Sequence, residues 1–233
     1  MKVIILAGGL GTRISEETAD KPKPMVLLDD KPILWHIMSI FAKQGHTDFV
    51  VAAGYKGEVI SDWVSTLETD WNIQTINTGL DTQTGGRIKQ CMELNPGERM
   101  LATYGDGVGN INVNNLIAFH KSHGKLATLT AVRPPARFGY LDTKDGRVKH
   151  FGEKNQSDAG WINGGFFVLE PQVSLCIKTN SDPFETGALP YLADAGELMA
   201  FEHNGFWQPM DTLREKQDLE NLARLSTPPW LEI

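Results

Sequence analysis

Cysteine is scarce: Cys91 and Cys176 are the only two in 233 residues. Two cysteines so far apart, neither in a CxxC pair, build neither a disulfide framework nor a zinc site. Positive charge is in deficit as well. Lys and Arg number 22 against 29 Asp and Glu, a formal net charge of −7, which argues against general nucleic-acid binding. No apolar run is long enough to span a membrane. Met1-Lys2 followed by Val3-Ile4-Ile5-Leu6-Ala7 mimics a leader, but the run is short and breaks at Gly8, so a leader is rejected and a cytoplasmic protein is expected. Internal repeats, low-complexity tracts and flexible linkers are also missing. What is present is an ordinary globular composition, 41% hydrophobic, at a length that suits one large α/β domain, or one domain with a modest appendage.

The chain is organised around its first 24 residues. Val3 to Ala7 reads as a buried strand that stops at Gly8-Gly9-Leu10-Gly11-Thr12-Arg13. Glycines without a Cβ let backbone wrap a ligand, with Leu6 and Ala7 leading in and the N–H groups converging on phosphate oxygens. Arg13 adds a planar donor fork suited to phosphate. Lys21-Pro22-Lys23-Pro24 follows, with Lys23 presented between two stiff prolines. Together these read as an anion grip, most plausibly for a nucleoside triphosphate. Alone, a glycine turn after a first strand is equally compatible with tight packing. Two phosphate motifs are excluded: Thr12-Arg13 replaces the Lys-Ser/Thr of a P-loop, and Ile14 stands where a dinucleotide fingerprint wants a small residue.

Downstream the pattern is βαβαβ, the signature of a parallel sheet covered by helices. A helix is expected over 32–44, with Asp30 as its N-cap and Pro32 in its first turn. Strands follow at 48–53 and 71–77, separated by an amphipathic helix that carries Ile60 and Trp63. Asp81-Thr82-Gln83-Thr84-Gly85-Gly86-Arg87 opens the next helix, and Arg87 reads either as an anion or base-edge contact or as a solvated cation. A strand over 100–104 ends in Gly105-Asp106-Gly107, where Asp106 is a poor strand residue and a good hard-cation ligand. Asn112 reads as the cap of a helix to His123, and 127–132 as a strand. After Arg133 antiparallel elements dominate: a hairpin about Asp145-Gly146, and a strand over 161–169 interrupted by Gly164-Gly165, with Asn163 able to bond a hydroxylated ligand. A helix over 185–195 and a strand over 197–203 follow. Thr212 and Glu215 form a capping box, which sets Asp211 just before the last helix, where it is expected to face Asp106.

These motifs together resemble the sugar-phosphate nucleotidyltransferases, and the resemblance runs nearly end to end. Gly8-Gly9-Leu10-Gly11-Thr12-Arg13 with Lys21-Pro22-Lys23-Pro24 resembles the signature of the whole family. Lys31-Pro32-Ile33-Leu34-Trp35-His36-Ile37-Met38, Thr84-Gly85-Gly86-Arg87, Thr103-Tyr104-Gly105-Asp106-Gly107-Val108, Ile162-Asn163-Gly164-Gly165-Phe166-Phe167-Val168-Leu169 and the segment from Gly205 through Arg214 are similar to its cytidylyl branch. Against that pattern, the stretch between Trp63 and Asp81 is short, and Asn155 follows Glu153-Lys154 where relatives usually have proline.

The resemblance implies a glycosyltransferase-A-like α/β fold: a Rossmann-like, mixed, mostly parallel central sheet flanked by helices, with a small antiparallel sugar-side subdomain. It implies one domain over 1–233, with 1–132 mainly nucleotide-binding and 133–233 mainly sugar-phosphate-binding. The implied reaction joins CTP and glucose 1-phosphate into CDP-glucose and pyrophosphate with Mg2+, a step of polysaccharide biosynthesis. Carried over by motif, Leu6, Ala7, Gly8, Gly9, Gly11, Thr12 and Arg13 hold the triphosphate and Lys23 meets the reacting phosphate. Thr84, Gly86 and Arg87 surround the cytosine nucleotide, beside Gly105. Asp106 and Asp211 bind the metal, and Glu153, Lys154, Asn163 and Gly164 meet the sugar phosphate. Arg13, Lys23 and Asp106 carry catalysis. Neither nucleic acid nor membrane is a partner, and a homo-oligomer is left open. Two other readings stay open: a thymidylyl- or uridylyltransferase acting on another sugar 1-phosphate, and a non-catalytic nucleotide-binding module.

Overall fold

A computed structural model describes residues 1–134, 139–153 and 160–233, with the side chains of 139–144 and 150–153 outside the description. Its strands, in chain order, are β1 Val3–Ala7, β2 Leu27–Leu28, β3 Lys31–Pro32, β4 Asp48–Ala53, β5 Asn72–Asn77, β6 Met100–Tyr104, β7 Gly107–Gly109, β8 Ala127–Val132, β9 Gly139–Lys144, β10 Arg147–Glu153, β11 Ile162–Leu169, β12 Leu198–His203 and β13 Trp207–Pro209. The α-helices are α1 Ser15–Thr18, α2 Ile33–Ala42, α3 Gly57–Ser65, α4 Thr84–Glu93, α5 Val113–His123, α6 Leu189–Asp194 and α7 Leu213–Ala223.

Seven strands form one sheet in the order β12-β8-β11-β6-β1-β4-β5. Strand β1 pairs in parallel with both β4 and β6, and β11 runs antiparallel to both of its neighbours. The expected mixed, mostly parallel sheet is therefore present. Continuous apolar strands arise because both faces are covered. Side chains alternate across β1, so Val3, Ile5 and Ala7 pack on one face and Ile4 and Leu6 on the other. Helices α2, α3, α5 and α7 bury Ile37, Ile60, Leu116 and Leu219 on the first face. Helices α4 and α6 bury Ile88, Cys91 and Leu192 on the second.

Several local expectations hold. Asn112 caps α5 by accepting from the Asn115 N–H at 2.8 Å. The β9–β10 hairpin turns through Asp145 and Gly146, both at positive φ, as a primed two-residue turn requires. One fails for an identifiable reason. Asp30 does not cap α2. Residues 29 and 30 form the turn between β2 and β3, with Asp29 at φ 61, and α2 begins after Pro32 without a side-chain cap. The tertiary hairpin overrides the local capping signal. The helix expected over 185–195 is present, opening as the π-helical turn Phe184–Ala188 and continuing as α6. Strand β7, unforeseen, pairs antiparallel with β13.

Candidate active site

Strands β1 and β6 end side by side, so the loops that follow them share one rim of the sheet, the usual place for a ligand in such folds. A cleft of about 910 Å3 opens there. The glycine loop forms one wall. Gly11 sits at φ 66, which favours glycine. Gly8 is glycine for a different reason: a Cβ there would lie 2.1 Å from Nη1 of Arg87.

Arg87 is therefore not a solvated cation. It is 4% exposed. Its guanidinium donates to the carbonyls of Ala53 at 3.1 Å and Gly8 at 3.0 Å, and to the Thr78 hydroxyl. The side chain ties the β1 loop to the ends of β4 and β5, and burial lowers its pKa. Arg87 borders the cleft, and both terminal nitrogens of its guanidinium bond protein oxygens.

The centre of the site is a four-residue ionic cluster. Lys23, 8% exposed, lies in the 3-10 turn Lys23–Met25 that follows extended Pro22. Its Nζ donates to Asp106 Oδ2 at 2.7 Å and to Asp211 Oδ1 at 2.8 Å. Arg13 donates to Asp211 Oδ2 at 2.6 Å. The two carboxylates meet because of backbone pairing: β13 lies along β7, and the Met210 N–H donates to the Asp106 carbonyl at 2.7 Å. Asp211 is then held by the capping box of α7, where Glu215 Oε2 accepts from the N–H groups of Asp211 at 2.8 Å and Thr212 at 3.0 Å.

Asp106 and Asp211 fit a divalent metal of modest demand. No group of three or more His, Cys, Asp or Glu suited to a metal occurs among the described residues, so these residues build no all-protein cage. Two hard oxygen donors beside an anion grip suit a cation that completes its shell with water and phosphate.

The remaining expected residues divide. Leu6, Ala7, Gly9, Thr12, Thr84 and Gly105 also line the cleft. Gly86 does not: a Cβ there would meet the Asn180 backbone at 2.4 Å, so it serves helix packing. Asn163 stands behind Tyr104, donating to its hydroxyl at 3.0 Å. The Gly164 carbonyl accepts from the Trp207 indole at 2.8 Å. Of Glu153 only the backbone, at the end of β10, is described, and Lys154 lies outside the described residues. Sequence reasoning missed Tyr104, Glu185 and Trp207 as cleft residues. Tyr104 and Trp207 sit inside segments already singled out, next to Gly105 and before Asp211. Nothing in the sequence around Glu185 pointed to a site.

A family model described as "Nucleotidyl transferase" matches residues 2–214. A protein of Salmonella typhimurium named glucose-1-phosphate cytidylyltransferase is 48% identical over 253 residues, covering 99% of this chain and 98% of the relative. A Salmonella typhi protein of the same name matches equally well. The aligned length exceeds this chain's 233 residues, so these relatives carry residues that it lacks. Among solved structures, HddC from Yersinia pseudotuberculosis shares the fold at TM-score 0.76 and 24% identity, over 94% of this chain and 98% of that one.

Proposed function

The chain belongs to the nucleotidyl transferase family, and from that premise we propose that it joins CTP to glucose 1-phosphate, giving CDP-glucose and pyrophosphate. The activity named for the relatives at 48% identity supports the substrate pair. The observation that carries the chemistry is the Lys23 ammonium seated between two carboxylates in the cleft of the glycine loop.

The sugar phosphate is already anionic at neutral pH, so it needs no base to become a nucleophile. One of its oxygens attacks the α-phosphorus of CTP in line, a P–O bond to the sugar phosphate forms, and the bond to pyrophosphate breaks. The obstacle is repulsion between two anions. Lys23, rigid and nearly buried, meets the reacting phosphate. Arg13, with 71% of its side chain exposed, has the freedom to follow the departing pyrophosphate. The glycine loop adds backbone N–H donors that need no reorganisation. Among themselves the four ionic side chains cancel, two cations against two carboxylates. Asp106 and Asp211 would hold Mg2+, which would supply the positive charge that two phosphates demand beyond what Lys23 and Arg13 provide. Residues of both halves of the chain border the one cleft, in keeping with a nucleotide side over 1–132 and a sugar side over 133–233 within a single functional unit. The free thiols of Cys91 and Cys176 go with a cytoplasmic setting, and no helix among the described residues is long and apolar enough to cross a membrane.

The test is pyrophosphate release by the purified chain over CTP, UTP, dTTP, GTP and ATP, each with a panel of sugar 1-phosphates. The highest kcat/KM is expected for CTP with glucose 1-phosphate. Preference for another nucleotide, or no release at all, rejects the proposal.

A further inference from the structure

Away from the ionic cluster the same cleft holds another carboxylate, Glu185. It lies in the π-helical turn Phe184–Ala188, a geometry frequent at functional sites. Each of its oxygens receives one hydroxyl: Tyr104 donates to Oε1 at 2.6 Å and Thr84 to Oε2 at 2.7 Å. Both hydroxyl protons have fixed directions. The Tyr104 oxygen already accepts from Asn163 Nδ2 at 3.0 Å, and the Thr84 oxygen from the Phe184 N–H at 2.8 Å. The two donated hydroxyls hold the carboxylate in one orientation.

Among the described residues no lysine or arginine pairs with Glu185; the ion pairs of this cleft join Arg13 and Lys23 to Asp106 and Asp211. Each Glu185 oxygen keeps a lone pair, and the residue is exposed where it borders the cleft. An uncompensated carboxylate repels phosphate and takes a neutral N–H or O–H donor. A ring fits this region: Leu80, four residues before Thr84, and Leu10 both line the cleft with more than half their surface exposed. Both polar ends of Asn163, by contrast, are spent within the protein, since its Oδ1 accepts from the Gly165 N–H at 2.9 Å.

We propose that Glu185 reads the nucleobase: it accepts the 4-amino group of cytosine and turns away uracil and thymine, whose 4-carbonyl oxygen would oppose its charge. A carboxylate accepting from the cytosine amine is an established recognition chemistry. Thr84 and Tyr104 act through it, as positioning residues. The inference rests on the CTP reading above.

The experiment compares kcat/KM for CTP and UTP, and KM for glucose 1-phosphate, in the wild-type chain and in Glu185→Gln. The amide keeps the shape and can donate to a 4-carbonyl. The CTP-to-UTP ratio is expected to fall on the order of 10- to 100-fold, with KM for glucose 1-phosphate unchanged. Equal losses for both nucleotides, or a change confined to the sugar phosphate, overturn the inference. A second measurement uses the wild-type protein alone. A CTP analogue lacking the 4-amino group is expected to bind about as poorly as UTP, and binding as tight as CTP overturns the inference independently of any variant. A wild-type chain that ignores CTP sinks the proposed function. A wild-type chain that prefers CTP, with the preference intact in Glu185→Gln, sinks only this inference.

Discussion

Arg13 and Asp211 stand 198 residues apart in the chain and 2.6 Å apart in the fold. Together with Lys23 and Asp106 they bring both ends of the sequence to one point, and most expected outcomes of mutation trace back to that point.

Arg13→Ala, Lys23→Ala and Asp106→Asn should each lower kcat by roughly 10²–10³ or more, as loss of a preorganised electrostatic partner does. Circular dichroism is expected to stay that of the wild type, because the cluster lines a cleft and no core. Near-normal turnover in folded Asp106→Asn would remove that residue from the metal site.

Chelation supplies a separate check. EDTA in excess should abolish pyrophosphate release and added Mg2+ restore it. With only two carboxylates offered, Asp106→Asn should need a clearly higher half-saturating Mg2+ than the wild type. Full activity in EDTA would show that no divalent ion is needed.

Gly8 and Arg87 should behave as one unit. Arg87→Ala removes the charge-assisted bonds to the Gly8 and Ala53 carbonyls and the Thr78 hydroxyl, while Tyr55 and Thr78 still donate to the two carbonyls, at a cost of about 2–3 kcal/mol. Gly8→Ala pushes a methyl into the guanidinium, an overpacking cost of about 1–3 kcal/mol. Because the clash disappears with the arginine, the double variant should cost less than the two single losses added together. Urea unfolding of the four proteins measures the coupling, and strict additivity would contradict this geometry.

Glu215 holds Asp211 by its backbone as well as capping α7. Glu215→Ala should cost about 1 kcal/mol of stability, as loss of a cap does, and in addition lower kcat. Loss of stability with no kinetic effect would show that Asp211 keeps its place without that bond.

Acid should destabilise the fold. Burial lowers the pKa of His36, His46, His120, His123 and His203 from the usual 6.5. The unfolded chain then binds more protons below about pH 6.5, so stability present above that pH is lost as pH falls through it. The pair on α5 shows why the neutral form is needed. The Lys125 N–H donates to Nδ1 of His123, Nε2 of His123 meets the Thr128 hydroxyl at 2.8 Å, that hydroxyl meets Nδ1 of His120 at 2.8 Å, and Nε2 of His120 meets Glu170 at 3.1 Å. Each donor in this line has one acceptor only if both rings are neutral and protonated at Nε2. Thermal unfolding from pH 8 to pH 5 should show Tm falling below about pH 6.5, more steeply in the wild type than in His120→Gln. A flat profile would reject the assignment.

The sheet was largely readable because its central strands are short apolar runs that end in glycine or turn residues, the pattern of strands covered on both faces. Asp30 was misread because a capping residue and a hairpin turn residue look alike until β2 and β3 pair. The solvated reading of Arg87 failed because charge in a sequence suggests an exposed side chain. Only the fold reveals the main-chain carbonyls that surround its guanidinium.

By itself the sequence determined the local grammar: the β1 strand, the glycine loop, the caps at Asn112 and Thr212, and the presence of Arg13, Lys23, Asp106 and Asp211. Those features depend on neighbours a few residues away. The tertiary structure alone decided that β13 lies along β7 and carries Asp211 to Asp106, that Lys23 is the ion between them, and that Glu185 stands in the cleft on two hydroxyls. Such contacts join residues 80 to 200 positions apart, set by strand pairing and packing, and no local pattern encodes a distance across a fold.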